Sequence, residues 1–265
     1  MCFILATYTH AVYGQMVLHQ LEHALGERIQ AHRPCYDIGL SGPDILFFYK
    51  PLAKNPVKEL GYGMHKKPAR AFFEKARKRI PKSQNPEAAL AYILGFINHF
   101  VLDSQCHPLI NQTVRELPIS HSHLESELDA VLMRERGLDP SRTRVTEHIH
   151  PTRENAQVIA PFFEVETDQV QKALDTMKRV LNLFVAPGRI KRGIVRAGLR
   201  LAGQYDNLEG LIIRREADPS CAEICRTLRR QMEEAVPVSC RLIQEFLDPQ
   251  AERKPLDPRY DRDFE

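Results

Sequence analysis

The chain has 265 residues, with 37 Lys and Arg against 34 Asp and Glu and a formal net charge of +3. That balance gives no argument for a nucleic-acid partner, and no stretch approaches the ~20 apolar residues of a membrane span. Six cysteines are scattered without the framework of a small disulfide domain, and they read as reduced core thiols of a cytoplasmic protein. Met1 to Ala6 is too short for a signal peptide and lacks its basic start, which agrees with a cytoplasmic location.

Apolar residues recur at three- and four-residue spacing near 11–31, 68–79, 86–106, 121–136, 153–163, 167–185, 188–203 and 218–247. Strand alternation is absent, so the expected fold is all-α. A single multi-helix domain over 1–250 is expected, with the chemistry-bearing motifs in 1–135 and helical completion in 136–250. Pro237 should kink or split the last helix. Residues 251–265 are polar and Pro-containing, and read as a loosely attached tail.

Near the start, Thr7-Tyr-Thr-His10 precedes the first amphipathic segment. Next, the stretch from Tyr36 to Tyr49 places Asp44 in a Gly/Pro turn just ahead of an aromatic run. Asp44 could be a helix cap, a role its position allows. Gly61-Tyr-Gly-Met-His65 puts a histidine in a Gly-flanked loop before a helix opened by Lys66-Lys67-Pro68. Phe47, Phe48, Tyr49 and Tyr62 flank these two groups, with Phe47 and Phe48 read as core.

The strongest signal follows. His99, Asp103 and His107 are four residues apart in turn, at the end of an apolar run that begins at Ala88. On a helix they climb one face, over roughly 12 Å at ~1.5 Å per residue. His99 and His107 are then too far apart to share an ion easily, while Asp103 could serve either. Burying such groups is costly unless a cation or a salt bridge pairs them, and a metal cluster is the favoured reading. The next helix carries two overlapping pairs, His121/Glu125 and His123/Glu127. Leu124, Leu128, Val131 and Leu132 define its apolar stripe; His121 and Glu125, followed by Asp129, border that stripe, whereas His123 leans toward solvent. His121 and Glu125 are chosen, with the other pair as the alternative.

Taken in order, TYTHAVYG, GLSGPDILFFYKPL, GYGMHKKPA, AYILGFINHFVLDSQCHP and HSHLESELD resemble the zinc-dependent bacterial phospholipase C family, distantly related to the P1/S1-type nucleases. The likeness is nearest a branch without secretion signals and covers roughly the first half of the chain. It implies one zinc held by Asp44, His65, His99 and Asp103, and a second held by His107, His121 and Glu125. A third would use His10 and Asp103, with Asp103 bridging. Secreted members complete that third site with a processed N-terminal tryptophan, and this chain has no tryptophan.

Such a cluster is expected to hydrolyse a phosphodiester, with a zinc-activated hydroxide attacking phosphorus in line with the leaving alkoxide. Asp44 would be both ligand and catalytic base. The resemblance implies a phospholipid substrate; a nuclease or nucleotidase, and an inactive metal-stabilised binding domain, are the alternatives. Downstream, Arg189, Arg192, Arg196 and Arg200 lie near one face of a basic amphipathic helix, which is either solvated or rests on an anionic lipid surface. His148 and His150 read as surface histidines. Cys221 and Cys225 sit four apart, but no neighbouring histidine completes a zinc site there.

Overall fold

A computed structural model describes residues 6–248 and 255–265. No strand occurs among the described residues. The first half folds as α1 (Thr7–Gln20), α2 (His23–Gln30), α3 (Arg33–Gly39), α4 (Pro56–His65), α5 (Arg70–Arg79), α6 (Pro86–Glu116) and α7 (His121–Glu135). The second half adds α8 (Arg153–Phe163), α9 (Thr167–Phe184), α10 (Arg189–Leu201), α11 (Tyr205–Leu208) and α12 (Ala222–Leu247). The chain is all-α, as its periodicity predicts.

The apolar run from Ala88 becomes the axis of the fold. Asn85 caps α6 by accepting the Ala88 N–H, and Pro86 fits the first turn, where no donor is needed. The helix then runs for 31 residues, past His107 and through Pro108, against α3, α12 and α1. That packing outweighs the one backbone bond Pro108 removes. Pro237 likewise lies inside α12 without ending it. Backbone meets backbone where α3 crosses α6: a Cβ on Gly39 would stand 2.1 Å from the Tyr92 carbonyl oxygen. This close approach brings the next segment, the 3-10 helix Gly42–Phe48 that carries Asp44, over α6.

Three local expectations change. His10 lies inside α1, because Asp129 of α7 accepts the Tyr8 and Thr9 N–H groups and so starts the helix at Thr7. That helix then breaks at Leu21, which is extended, and α2 follows. His65 is the last residue of α4, not a loop residue; Asn55 caps α4 by accepting the Lys58 N–H, and Pro56 opens it.

The C-terminal segment is not a loose tail over its described residues. Leu256, Tyr260 and Phe264 are buried, although the sequence around them is polar. Tyr260 stacks on Phe100 at 5.7 Å, and Phe264 meets the same ring edge-on at 5.2 Å. The Phe264 N–H donates to the His65 carbonyl at 3.1 Å, and the Ala69 N–H to that of Arg262 at 3.0 Å. Average polarity hid this strap from the sequence reading. Phe264→Ala should therefore cost about 3–5 kcal/mol, read from urea denaturation; a change within error would show that the strap does not anchor the fold.

Candidate metal centre

Helices α1, α4, α6 and α7, with the Gly42–Phe48 turn, bring all eight singled-out side chains into one continuous cluster. Asp103 stands at its centre. Its Oδ2 lies 3.0 Å from His99 Nε2, while Oδ1 lies 3.1 Å from His10 Nε2 and 3.8 Å from His107 Nε2. On one side Asp44 Oδ1 approaches His65 Nε2 at 2.9 Å. On the other, Glu125 Oε1 lies 3.2 Å from His121 Nε2 and 3.6 Å from His107 Nε2. Three donor groups result: His10, His99 and Asp103; Asp44, His65 and His99; His107, His121 and Glu125.

Backbone carbonyls set how the rings face. His65 Nδ1 is 2.9 Å from the Gly61 oxygen, His99 Nδ1 3.2 Å from that of Leu40, and His107 Nδ1 2.6 Å from that of Phe264. A carbonyl only accepts, so each Nδ1 carries the proton, and in the neutral ring the Nε2 lone pair turns to the carboxylates. Several of these atoms, Asp44 Oδ1, His99 Nε2, His121 Nε2 and Glu125 Oε2 among them, are buried without a hydrogen-bond partner. Close approach without hydrogen-bond geometry is what a cation between the groups would relieve, and the donors are those zinc takes.

Electrostatics agree. Burial by itself would raise the Asp103 carboxyl, but the His99, His107 and His10 rings hold it well below the usual range. Glu125 is likewise brought down to about 2, His121 and His107 overcoming burial. Burial opposes charge on His107, yet Asp103 and Glu125 push that ring up to about 10. The carboxylates are thus ionised and call for positive charge, supplied by protons or by a cation.

Gly42 explains how Asp44 comes so close. Its φ is +50°, a left-handed conformation that glycine adopts readily, and a Cβ there would lie 2.1 Å from the His99 ring. Phe47 stacks on Tyr62 at 4.4 Å and on His65 at 5.3 Å, so it packs the wall of the cluster. The sequence reading missed the three carbonyl acceptors, which carry no sequence signal. It also missed the role of Asp129. This buried carboxyl is pushed up to about 7 mainly by burial, and its bonds to Tyr8 and Thr9 place the helix that holds His10.

His123 does not face solvent. It is buried, with Nε2 3.0 Å from Asp218 Oδ2, and Glu127 accepts the Asp218 N–H at 3.1 Å. Helical spacing placed this pair away from the cluster; the wrapped segment before α12 is what buries it.

His148 departs from the surface reading too. It is half-buried, and burial, then Arg33, His150 and Lys178, push its ring down to about 4. Folding therefore favours the neutral ring, and stability is lost as pH falls from the unfolded value near 6.5 toward 4. His148→Gln should flatten that fall by about 2 kcal/mol, allowing for partial exposure, in denaturation followed across this window. An unchanged slope would sink the assignment.

Among the described residues no helix is long and apolar enough to cross a membrane. On α10 three arginines contact the following segment: Arg196 pairs with Glu209, Arg192 donates to the Ile213 carbonyl, and Arg200 covers the Tyr205 ring. Val195 packs inward, but three other apolar side chains stand out, with Ile190 82% exposed, Ile194 67% and Leu201 92%.

No curated protein and no solved structure matches this chain. The family model described as zinc dependent phospholipase C matches residues 9–180, a span that holds all eight donors of the cluster. With the fold all-α and the donors gathered within that span, the chain belongs to the zinc-dependent phospholipase C family.

Proposed function

We propose that the cluster holds zinc and hydrolyses a phosphodiester, with phospholipid as the substrate class. The observation that carries this is the set of rings whose Nδ1 atoms face carbonyls, which turns Nε2 toward the carboxylates. In this reading Asp44, His65, His99 and Asp103 hold one ion, and His107, His121 and Glu125 hold a second. A third would rest on His10 and Asp103. Zinc bound there supplies Lewis acidity toward a phosphoryl oxygen and lowers the pKa of water.

The protein's own groups then have separate tasks. Asp103 would serve two sites, since Oδ2 faces His99 and Oδ1 faces His10. The Gly61, Leu40 and Phe264 carbonyls fix the ring orientations. Asp44 doubles as general base: it takes the proton of the attacking water, whose oxygen meets phosphorus in line with the departing alkoxide. The test is a zinc-loaded sample offered a choline phosphodiester chromogen, phosphatidylcholine in mixed micelles and a dinucleoside monophosphate. Lipid cleavage to diacylglycerol is expected. Cleavage of the dinucleotide alone would make it a nuclease, and cleavage of none would leave a metal-stabilised binding domain.

The row Ile190, Ile194 and Leu201 suits contact with the lipid surface itself, since all three fall on one stripe of a helix without acidic residues. Ile190→Glu with Ile194→Glu should weaken sedimentation with vesicles containing anionic lipid by about tenfold, through lost apolar burial and added like charge. Hydrolysis of the soluble chromogen should stay unchanged. Equal vesicle binding by both proteins would exclude this helix as the contact.

A further inference from the structure

His123, Asp218 and Cys221 meet on the far side of α7 from the cluster. The ring nitrogen, a carboxylate oxygen and the Cys221 sulfur all lie within 4.8 Å of one another. The histidine comes from α7; the other two come from the 3-10 turn Pro219–Cys221 and the residue that caps it. The sequence shows Cys221 beside no histidine, and the fold supplies one from almost a hundred residues away.

The surroundings orient these donors as outer partners orient metal ligands. Ser220 donates both its N–H, at 3.0 Å, and its hydroxyl, at 2.6 Å, to Asp218 Oδ1, which leaves Oδ2 turned to His123. Glu127 accepts the Asp218 N–H and fixes the turn. Cys221 is buried, and its sulfur has a long contact of 4.0 Å with the Ser220 hydroxyl. Arg214 also donates to Asp218 Oδ2 at 3.1 Å, but its side chain is half-exposed and can withdraw into water. Imidazole, carboxylate and thiolate together are donors for a borderline-soft cation, and zinc bonds of ~2.0–2.3 Å can close such a gap with small side-chain rotations.

We propose that His123, Asp218 and Cys221 form a separate structural zinc site that pins the segment before α12 to α7. Asp218 and Cys221 lie beyond residues 9–180, outside the span that the family model matches. It is independent of what the main cluster hydrolyses. Its place is mechanical: the turn is held against the helix whose opposite side presents His121 and Glu125.

Cobalt makes the test selective. Among the described residues the other three donor groups contain only histidine and carboxylate, so a thiolate-to-cobalt charge-transfer band in the near ultraviolet that depends on Cys221 reports this site. The band is expected in the fully Co2+-loaded protein, lost in Cys221→Ser and kept in His121→Ala. Zinc content by mass spectrometry should fall by one equivalent in both Cys221→Ser and Asp218→Asn, with hydrolysis of the soluble chromogen at the wild-type level. No band in the loaded wild-type protein would overturn the proposal without recourse to any variant. A band that survives Cys221→Ser, or unchanged zinc in both variants, would overturn it as well.

Discussion

Asp103→Asn should release more zinc than His10→Ala and lower phosphodiester hydrolysis by about a hundredfold or more, the scale of losing a central electrostatic group. The expectation follows from its two oxygens. Oδ2 faces His99, and Oδ1 faces His10 and, further off, His107. An amide in the same place keeps the volume but offers one neutral oxygen and a pair of donors, which repel a cation and can hydrogen-bond the Nε2 lone pairs that would otherwise face it. His10 touches the cluster only through Asp103 and by stacking on His99 at 4.6 Å, so its loss disturbs one site. Metal content of the two purified variants, prepared with zinc present, decides the matter. Equal losses would show that Asp103 does not bridge.

The second large effect separates the overlapping pairs of α7. His121→Ala should remove a zinc ion and reduce hydrolysis by about two to three orders of magnitude, whereas His123→Ala should hydrolyse normally. Both histidines are close to a carboxylate, so proximity to charge does not distinguish them. Their partners do. His121 meets Glu125 and, ring to ring at 5.2 Å, His107. His123 meets Asp218, on the other side of the helix. The zinc that His123→Ala loses is the one shared with Cys221, and it should leave the substrate kinetics alone. Retained activity in His121→Ala with loss in His123→Ala would move the second site to His107, His123 and Glu127.

The sequence by itself determined the parts of this protein that depend on neighbours along the chain. Four-residue spacing put His99, Asp103 and His107 on one helix face, and paired His121 with Glu125, because i and i+4 contacts are a local property of the helix. The same periodicity, with no strand alternation, gave the all-α fold. Motif order, through the family resemblance, added Asp44, His65 and His10, which no local spacing links to the others.

What stands opposite each face was decided only by tertiary structure. Asp129 starts α1 at Thr7 from more than a hundred residues away, so sequence reading left His10 outside its helix. The carbonyls that orient His65, His99 and His107 belong to Gly61, Leu40 and Phe264, and every residue has a carbonyl, so composition cannot single these out. The segment 255–265 reads as polar on average, yet three apolar side chains at four-residue spacing bind it to the core. On α10 the amphipathic pattern is plain in the sequence. Which side chains find partners was set by the fold: Glu209 pairs with Arg196 and Tyr205 lies under Arg200, while Ile190, Ile194 and Leu201 stay exposed. Periodicity fixes which residues share a face, whereas burial and charge depend on what the rest of the chain brings against it.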